Sequence, residues 1–233
     1  MNLENLKKDF EKIQNPEKAK ILLRFFKTGV GEYGYGDIFL GITVPQQRLL
    51  VKKYFDLSLN DTSELLHSKI HEHRLTALLI LVKKFEKEKD YNIKEEIYNL
   101  YLENSKYINN WDLVDLSAPK IVGSFLLNKN REILYKLAKS ENLWEKRISI
   151  ISTFTFIRNL EYNDTIEISK ILLHDSHDLI HKAVGWMLRE MGKRDINILK
   201  NFLNSNYKNM PRTMLRYSIE KLPEDLRAYY LKK

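Results

Sequence analysis

The sequence predicts an all-α fold, an α-solenoid of antiparallel helix pairs. Glycine and proline are scarce, with 8 and 5 among 233 residues, so few positions break a helix. Apolar residues recur at spacings of three, four and seven, whereas the alternation typical of strands is hard to find. Because the helical periodicity runs along almost the whole chain, we expect helices throughout.

Two helices are predicted at the start of the chain. Apolar spacing predicts the first over Leu3–Ile13. Asn15 is a favoured N-cap and Pro16 is favoured at the first helical position, so a second helix begins there. It carries Phe25 and Phe26. Both helices need a partner for their apolar faces.

A glycine-rich segment, residues 28–41, follows these helices and holds five of the eight glycines. Gly29, Gly31 and Gly34 match G-x-G-x-x-G, but that dinucleotide-binding motif requires a preceding strand and a βαβ unit, which the sequence does not predict. We interpret the segment as a mobile loop whose tyrosines, Tyr33 and Tyr35, clamp a ligand.

From residue 43 onward the predicted helices come in pairs with short polar connectors, at residues 58–62, 128–130, 140–142 and 174–177. An internal repeat relates five positions in these pairs. They are separated by 37, 36, 35 and 34 residues, close to the period of HEAT and armadillo repeats. The five positions are Arg74, Trp111, Arg147, Lys182 and Arg216.

Equivalent positions of successive inner helices line one surface of a solenoid, usually the concave one. The repeat therefore predicts a mostly basic row, with an aromatic residue in it, along a concave groove. Lysine and arginine outnumber aspartate and glutamate by 39 to 31, a formal charge of +8, which favours polyanionic partners. Basic residues interleaved with aromatic ones are typical of nucleic-acid binders. A HEAT-type scaffold that binds a peptide along this row is an alternative.

Several other classes of function are disfavoured. The chain has no cysteine, which excludes disulfides, thiolate metal sites and cysteine catalysis. His177 and His181 are four residues apart, but no acidic residue completes a metal-binding pattern, so we assign His181 to the groove and expect no metal. The first residues lack the apolar core of a secretion signal, and no apolar run reaches membrane-spanning length. We expect a cytoplasmic protein.

Trp111 and Asp115 are the leading candidates for a site. Residues four apart share one face of a helix, so an indole and a carboxylate point at the same object. Trp111 alone would more often be a core residue, but Asp115 must face water or a partner, because burying it unpaired is costly. Asp112 suits a cap or a first-turn position. Trp186 follows Gly185, which allows another backbone or a ligand to approach closely. A location of Trp186 in the core and one in the groove are therefore both compatible with the sequence.

Four segments together resemble the AlkD-like DNA alkylation repair glycosylases, namely residues 109–115 (NNWDLVD), 143–147 (LWEKR), 181–190 (HKAVGWMLRE) and 210–217 (MPRTMLRY). Residues 31–37 (GEYGYGD) and 39–42 (FLGI) are similar to the family's N-terminal part. The resemblance implies a single domain, residues 1–233, with N-terminal helices and the Gly/Tyr loop in residues 1–42 and helix-pair repeats in residues 43–233.

The resemblance also implies a function. A monofunctional glycosylase of this kind grips duplex DNA in a concave basic groove and hydrolyses the N-glycosidic bond of cationic N3- or N7-alkylated purines. It needs no metal or other cofactor, and we expect a monomer without an obligate protein partner. Members of the broader superfamily that lack the catalytic aspartate bind DNA without excision. Non-catalytic binding of damaged or branched DNA is therefore the alternative.

Carried over by residue, the catalytic aspartate of the family matches Asp115, its two groove tryptophans match Trp111 and Trp186, and its DNA-contacting arginine matches Arg147. The repeat and the Gly/Tyr loop add further expected DNA contacts, which are Lys146, Lys182, Arg74, Arg216, Tyr33, Tyr35 and His181.

Overall fold

The computed structural model describes residues 2–232, and every regular element among them is a helix. The all-α prediction is confirmed. The internal contacts divide the chain into two compact units, residues 1–121 and 122–233. No helix between residues 2 and 232 is both long enough and apolar enough to cross a membrane. The single domain and the basic groove stay predictions.

The first unit is organised around one helix, α5, in which 13 of 17 residues are buried. The helices α3, α4, α6 and α7 all pack against it, so α5 forms the centre of the unit. The helices of this unit are α1 (Leu3–Ile13), α2 (Pro16–Phe25), α3 (Val44–Lys53), α4 (Leu59–Leu66), α5 (His71–Lys87), α6 (Tyr91–Glu103) and α7 (Trp111–Ala118).

A π-helical turn, Pro119–Gly123, spans the boundary at which the second unit begins. Its helices are α8 (Ser124–Leu126), α9 (Glu132–Ala138), α10 (Leu143–Arg158), α11 (Asn163–Ile171), α12 (Asp178–Gly192), α13 (Ile196–Asn206), α14 (Arg212–Ile219) and α15 (Glu224–Leu231). The helices α10, α12 and α14 pack in succession, while α9 and α11 flank α10, and α11 and α13 flank α12. Alternation of central and flanking helices is the arrangement of a solenoid.

Most of the helix and connector predictions are confirmed. The first helix spans Leu3–Ile13, and α2 begins at Pro16 because the Asn15 side chain caps it, accepting a hydrogen bond from the Lys18 N–H at 3.0 Å. The prediction of a connector at residues 58–62 was wrong. Ser58 is instead an N-cap whose hydroxyl accepts the Asp61 N–H at 3.0 Å, so α4 is already helical at residue 59.

The end of the glycine-rich segment is fixed to the start of α5. Ile38 forms an isolated parallel bridge with Ile70. In it the Ile38 N–H donates to the Lys69 carbonyl at 3.1 Å, and the Ile38 carbonyl accepts the His71 N–H at 2.8 Å. The bridge places the side chains that follow Tyr35 and Gly36 against α5.

A buried carboxylate holds the next residues of this segment. Glu72, which is 1% exposed, accepts hydrogen bonds from the backbone N–H groups of Leu40, Gly41 and Ile42 at 2.8 to 3.2 Å. Gly41 has a φ of +79°, and a Cβ there would lie 2.0 Å from the Asn15 carbonyl oxygen. Only glycine fits this position, so the segment ends in a rigid contact.

A cluster of buried charges joins the segment, α5 and α7. The His71 Nδ1 lies 3.4 Å from Asp37 Oδ2, and its Nε2 lies 2.9 Å from Asp112 Oδ2. The Arg74 guanidinium lies 2.7 Å from the other oxygen of Asp37. Burial alone would lower the pKa of His71, but the charge of Asp112 and hydrogen bonds to both carboxylates raise that pKa to about 9. The imidazole is therefore held as a cation.

A second histidine of α5 shows the opposite behaviour. Burial, together with the positive charges of Lys7 and Arg74, lowers the pKa of His73 to about 4. Its ring packs against Phe10 with 4.5 Å between centroids, and its Nδ1 lies 3.0 Å from the Ser68 hydroxyl. His73 is therefore neutral near pH 7.

We expect the contributions of these two histidines to the free energy of unfolding to depend on pH with opposite signs. The folded pKa of His71 lies above its unfolded value of 6.5, so its stabilising effect is complete below about pH 6.5 and is lost as the pH rises through about 9. Urea unfolding of wild type and His71→Gln across this range should show a difference in the free energy of unfolding that shrinks by on the order of 3 kcal/mol. A constant difference would contradict the cationic assignment.

The matched control is His73→Gln, two residues away on the same helix. The folded pKa of His73 lies below 6.5, so its stabilising effect is complete above about pH 6.5 and is lost as the pH falls through about 4. The difference between wild type and His73→Gln should therefore vary on the acid side and stay level on the alkaline side.

Close packing of α12 on α14 generates another prediction. A Cβ at Gly185 would lie 2.5 Å from the Tyr217 Cβ and 2.6 Å from the Met214 carbonyl oxygen, so Gly185→Ala forces two helices apart. We expect it to lower the free energy of unfolding by about 1–3 kcal/mol. In the control Gly29→Ala, a Cβ meets only the end of the flexible Glu32 side chain, so its effect should be smaller. Equal stability of Gly185→Ala and wild type would contradict the close packing.

Candidate functional site

Trp111 and Asp115 both lie on α7, one turn apart. The helix begins at Trp111 because the side chain of Asn110 caps it, accepting the Trp111 N–H at 2.8 Å. Both side chains are half-buried. An indole and a carboxylate therefore occupy one partly accessible face.

Two phenylalanines at the end of α2 hold the indole of Trp111. The ring of Phe26 stacks on it, with 5.3 Å between centroids and 16° between planes. Phe25 meets the same indole edge to face at 6.0 Å. Phe25 is 61% exposed, whereas Phe26 is buried. The indole is thus supported from one side by α2.

An apolar cavity of about 440 Å³ lies beside this face, between α2, α3, α5 and α7. Trp111 and Asp115 line it, together with Phe25, Phe39 and Leu75. None of the residues Pro16–Phe25 is buried, so the apolar face of α2 borders this cavity instead of closing a core. The sequence interpretation missed the cavity. The sequence feature that could have revealed the cavity is the apolar face of α2, for which the sequence indicated no partner helix.

Trp186 lies on α12 in the second unit and is half-buried. Its ring packs against Phe154 of α10 with 6.0 Å between centroids. The neighbouring Gly185 packs closely against Met214 and Tyr217 of α14. The close approach that the sequence predicted at this glycine is therefore made by a helix of the protein itself. Trp186 is neither a fully buried core residue nor a freely exposed one.

Two of the arginines expected to contact DNA are buried. Arg74 is 3% exposed, and its guanidinium donates to the Ser68 carbonyl at 2.9 Å and pairs with Asp37. Arg147 is 5% exposed and donates to the Leu179 carbonyl at 2.6 Å. The expectation of an exposed basic row is wrong at these two positions. Both guanidinium groups turn to partners inside their own unit, since a buried charge needs them.

Three other basic residues gather at the start of α12. The Lys146 ammonium lies 2.9 Å from the carboxylate of Asp175, and the Lys182 ammonium lies 2.7 Å from that of Asp178. A ring N–H of His181 donates to the Asp175 carbonyl at 2.5 Å. All three basic side chains are half-buried. Ion pairs that reach solvent are weak, so these ammonium groups are able to exchange a carboxylate for a phosphate.

The remaining predicted contacts differ in exposure. Arg216 is exposed on α14 and lines a depression of about 320 Å³ together with Arg212 and Arg227. Tyr35 is 64% exposed, whereas Tyr33 is half-buried. Arg212 and Arg227 were not singled out from the sequence, because they fall outside the repeat positions.

The histidines near α12 have structural partners. The ring nitrogen Nδ1 of His177 accepts the Leu179 N–H at 3.1 Å and so caps the helix. Burial lowers the pKa of His177, which favours the neutral ring that this bond requires. Between residues 2 and 232 there is no group of three or more histidine and acidic side chains placed to hold a metal.

The sequence interpretation underestimated Asp112. It lies in the first turn of α7, as expected, but it is 7% exposed and paired with His71. The available signal was the run of titratable residues 71–74 directly before a long apolar stretch of α5, a sign that charged groups enter the core. The partners lie 41 residues apart, so spacing alone did not reveal the pair.

Comparisons with known proteins agree with this fold. The sequence pattern of the DNA alkylation repair enzyme family matches residues 6–222. A solved structure described as a predicted DNA alkylation repair enzyme from Enterococcus faecalis superposes with a TM-score of 0.68, over 91% of this chain and 97% of that chain. Its sequence identity is 16%, so this likeness shows the fold. No curated protein gives a significant match. Since the family pattern covers nearly all of both helical units, the chain belongs to the DNA alkylation repair enzyme family.

Proposed function

We propose that this protein is a monofunctional DNA glycosylase that removes N3- and N7-alkylated purines from duplex DNA. The observation that carries the proposal is the half-buried Asp115 carboxylate, one turn from the indole of Trp111, in a chain of the DNA alkylation repair enzyme family. The family supports a role in DNA repair, and the side-chain chemistry supports the finer reaction.

The chemistry requires little acid catalysis. Alkylation at N3 or N7 makes the purine cationic, so the bond from C1′ to the base breaks with its electron pair moving onto the ring, which becomes neutral. Positive charge develops on the deoxyribose, as in other glycosidic cleavages. The oxygen of a water molecule then bonds to C1′, and the water releases a proton. The barrier therefore depends on stabilising a sugar cation.

Each candidate residue has a role in this step. The Asp115 carboxylate stabilises the sugar cation electrostatically and orients the attacking water. The apolar cavity beside it lowers the local dielectric constant, which strengthens this interaction. The indole of Trp111 attracts the cation through its π face, by about 0.5–2 kcal/mol. Lys146 and Lys182 hold phosphates in register.

Replacement of the proposed catalytic carboxylate provides the first test. Asp115→Asn keeps the size of the side chain but removes its charge, so we expect base release to fall by about 100-fold or more while DNA binding persists. The measurement is the count of abasic sites formed in duplex DNA that carries N7-methylguanine, corrected for spontaneous release. The control is Asp61→Asn, a first-turn acid of α4.

The outcomes separate the candidate functions. Full release by Asp115→Asn would refute the catalytic role of the carboxylate. No release by wild type, with salt-dependent binding of duplex DNA, would leave non-catalytic binding of damaged DNA as the function. Failure to bind DNA even at low salt would support a scaffold that binds proteins.

The basic residues generate a second test. If Lys182 and Arg216 contact phosphates, each alanine variant should lower the slope of log affinity against log salt by about 0.9. Arg74→Met should lower stability and leave the slope unchanged, because Arg74 is buried in its ion pair with Asp37. Lys170→Ala, an exposed residue of α11 outside the repeat row, is the matched control. Equal slopes for all variants would contradict the assigned contacts.

A further inference from the structure

The first turn of α7 is tied to α5 by one buried side chain. Asp112 accepts the Leu113 N–H through Oδ1 at 2.9 Å, and its Oδ2 lies 2.9 Å from the His71 Nε2. Asp112 lies directly after Trp111 and three residues before Asp115. Any movement of the Asp112 carboxylate therefore shifts the first turn of α7, which carries Trp111 and leads into the turn with Asp115.

The far side of the imidazole is held as well. Asp37, from the glycine-rich segment, lies 3.4 Å from the Nδ1 of His71 and pairs with Arg74. The two carboxylates and the guanidinium leave the buried cluster with one negative charge in excess, unless His71 carries a proton. Burying an unbalanced charge is costly, so the cluster is complete only with an imidazolium.

A ring stack forms a second connection from His71 to the candidate site. The imidazole lies against Phe39, with 4.6 Å between centroids, and against Phe26, at 4.8 Å. Phe26 in turn stacks on the indole of Trp111. The imidazole is therefore connected to Trp111 in two ways, through its ion pair with Asp112 of α7 and through Phe26, which contacts both rings.

We propose that His71 is a positioning residue for the candidate site: as a cation bridging Asp37 and Asp112, it fixes the first turn of α7 and, through Phe26, the plane of the Trp111 indole. His71 is 2% exposed, although it lines the cavity beside Trp111, and it acts on the site through Asp112 and Phe26. Its effect on base release rests on the proposed function, whereas its effect on the geometry of α7 does not.

Asp112→Asn tests the bridge with a nearly isosteric change. The asparagine oxygen can still accept the Leu113 N–H, but its amide nitrogen then faces the His71 Nε2. Two donors would meet, so the variant favours a neutral imidazole that keeps its proton on Nδ1, towards Asp37. The lost carboxylate charge acts in the same direction. We expect His71 to lose its proton at a pH at least about one unit lower than in wild type.

The measurement is NMR of the intact protein between about pH 6 and pH 10. It follows the ring carbons of His71 and the indole N–H of Trp111, assigned with Trp→Phe variants at the three tryptophans. In wild type both signals should move with one midpoint near pH 9. In Asp112→Asn both midpoints should fall together, while the indole of Trp186 stays unaffected. Asp61→Asn should keep the wild-type midpoints.

Two results would overturn the proposal. One is a Trp111 indole that does not respond while His71 titrates. The other is a His71 midpoint that Asp112→Asn leaves unchanged. Should Asp112→Asn fail to fold, His71→Phe keeps a ring against Phe26 and Phe39 without any N–H. Its Trp111 signal should then differ from that of wild type and show no transition near pH 9, and a retained transition would refute the bridge.

Activity adds a separate readout. For Asp112→Asn near pH 7, base release at saturating DNA should fall by up to about 100-fold, because a small misplacement of catalytic groups is costly. Affinity for duplex DNA should stay within about twofold, since Asp112 is buried. A loss confined to affinity would contradict positioning. If wild type releases no base, the proposed function fails, and the NMR titration still decides the role of His71.

Discussion

The buried bridge from Asp37 through His71 to Asp112 is the interaction on which the first unit depends. Its members come from a glycine-rich segment, the central helix and the short helix that carries Trp111 and Asp115. Apolar contacts tolerate small slips between helices, whereas buried charges do not, because each must meet its partner at hydrogen-bond distance. The bridge therefore fixes how the three segments are aligned with one another. It thereby also fixes the orientation of the α7 face that carries Trp111 and Asp115.

Much of the fold was predictable, because its rules are local. Helical periodicity and the cap at Asn15 each depend on a few neighbouring residues, and both were confirmed. Burial of Arg74 and Arg147 was not predictable. Their sequence context resembles that of exposed arginines, and their partners, Asp37 and the Leu179 carbonyl, lie 37 and 32 residues away. Asp112 was underestimated for the same reason.

The candidate site combines a charge with an apolar wall. Asp115 lines a cavity otherwise built largely from aromatic and aliphatic side chains, and the exposed Phe25 stands at its edge. Apolar surroundings screen the field of a carboxylate weakly, so in the proposed reaction this field would act strongly on a cation beside Asp115. The apolar face of α2 is not buried in a core, and it supplies part of the apolar wall of this cavity.

The rigid contact at Gly41 divides the glycine-rich segment into two parts. Residues 37–42 are fixed to α5 through the Ile38 bridge and the Glu72 carboxylate. Gly31 and Gly36 have positive φ angles and no atom within 4 Å of an added Cβ, so the backbone at these two positions borders open space. Gly34 between them is buried, and its N–H donates to the Lys27 carbonyl at 3.0 Å. Insertions and deletions in evolution are tolerated where backbone is exposed and few contacts are lost. The backbone around Gly31 and Gly36 is therefore where chain length can diverge among related proteins while the charged bridge stays intact.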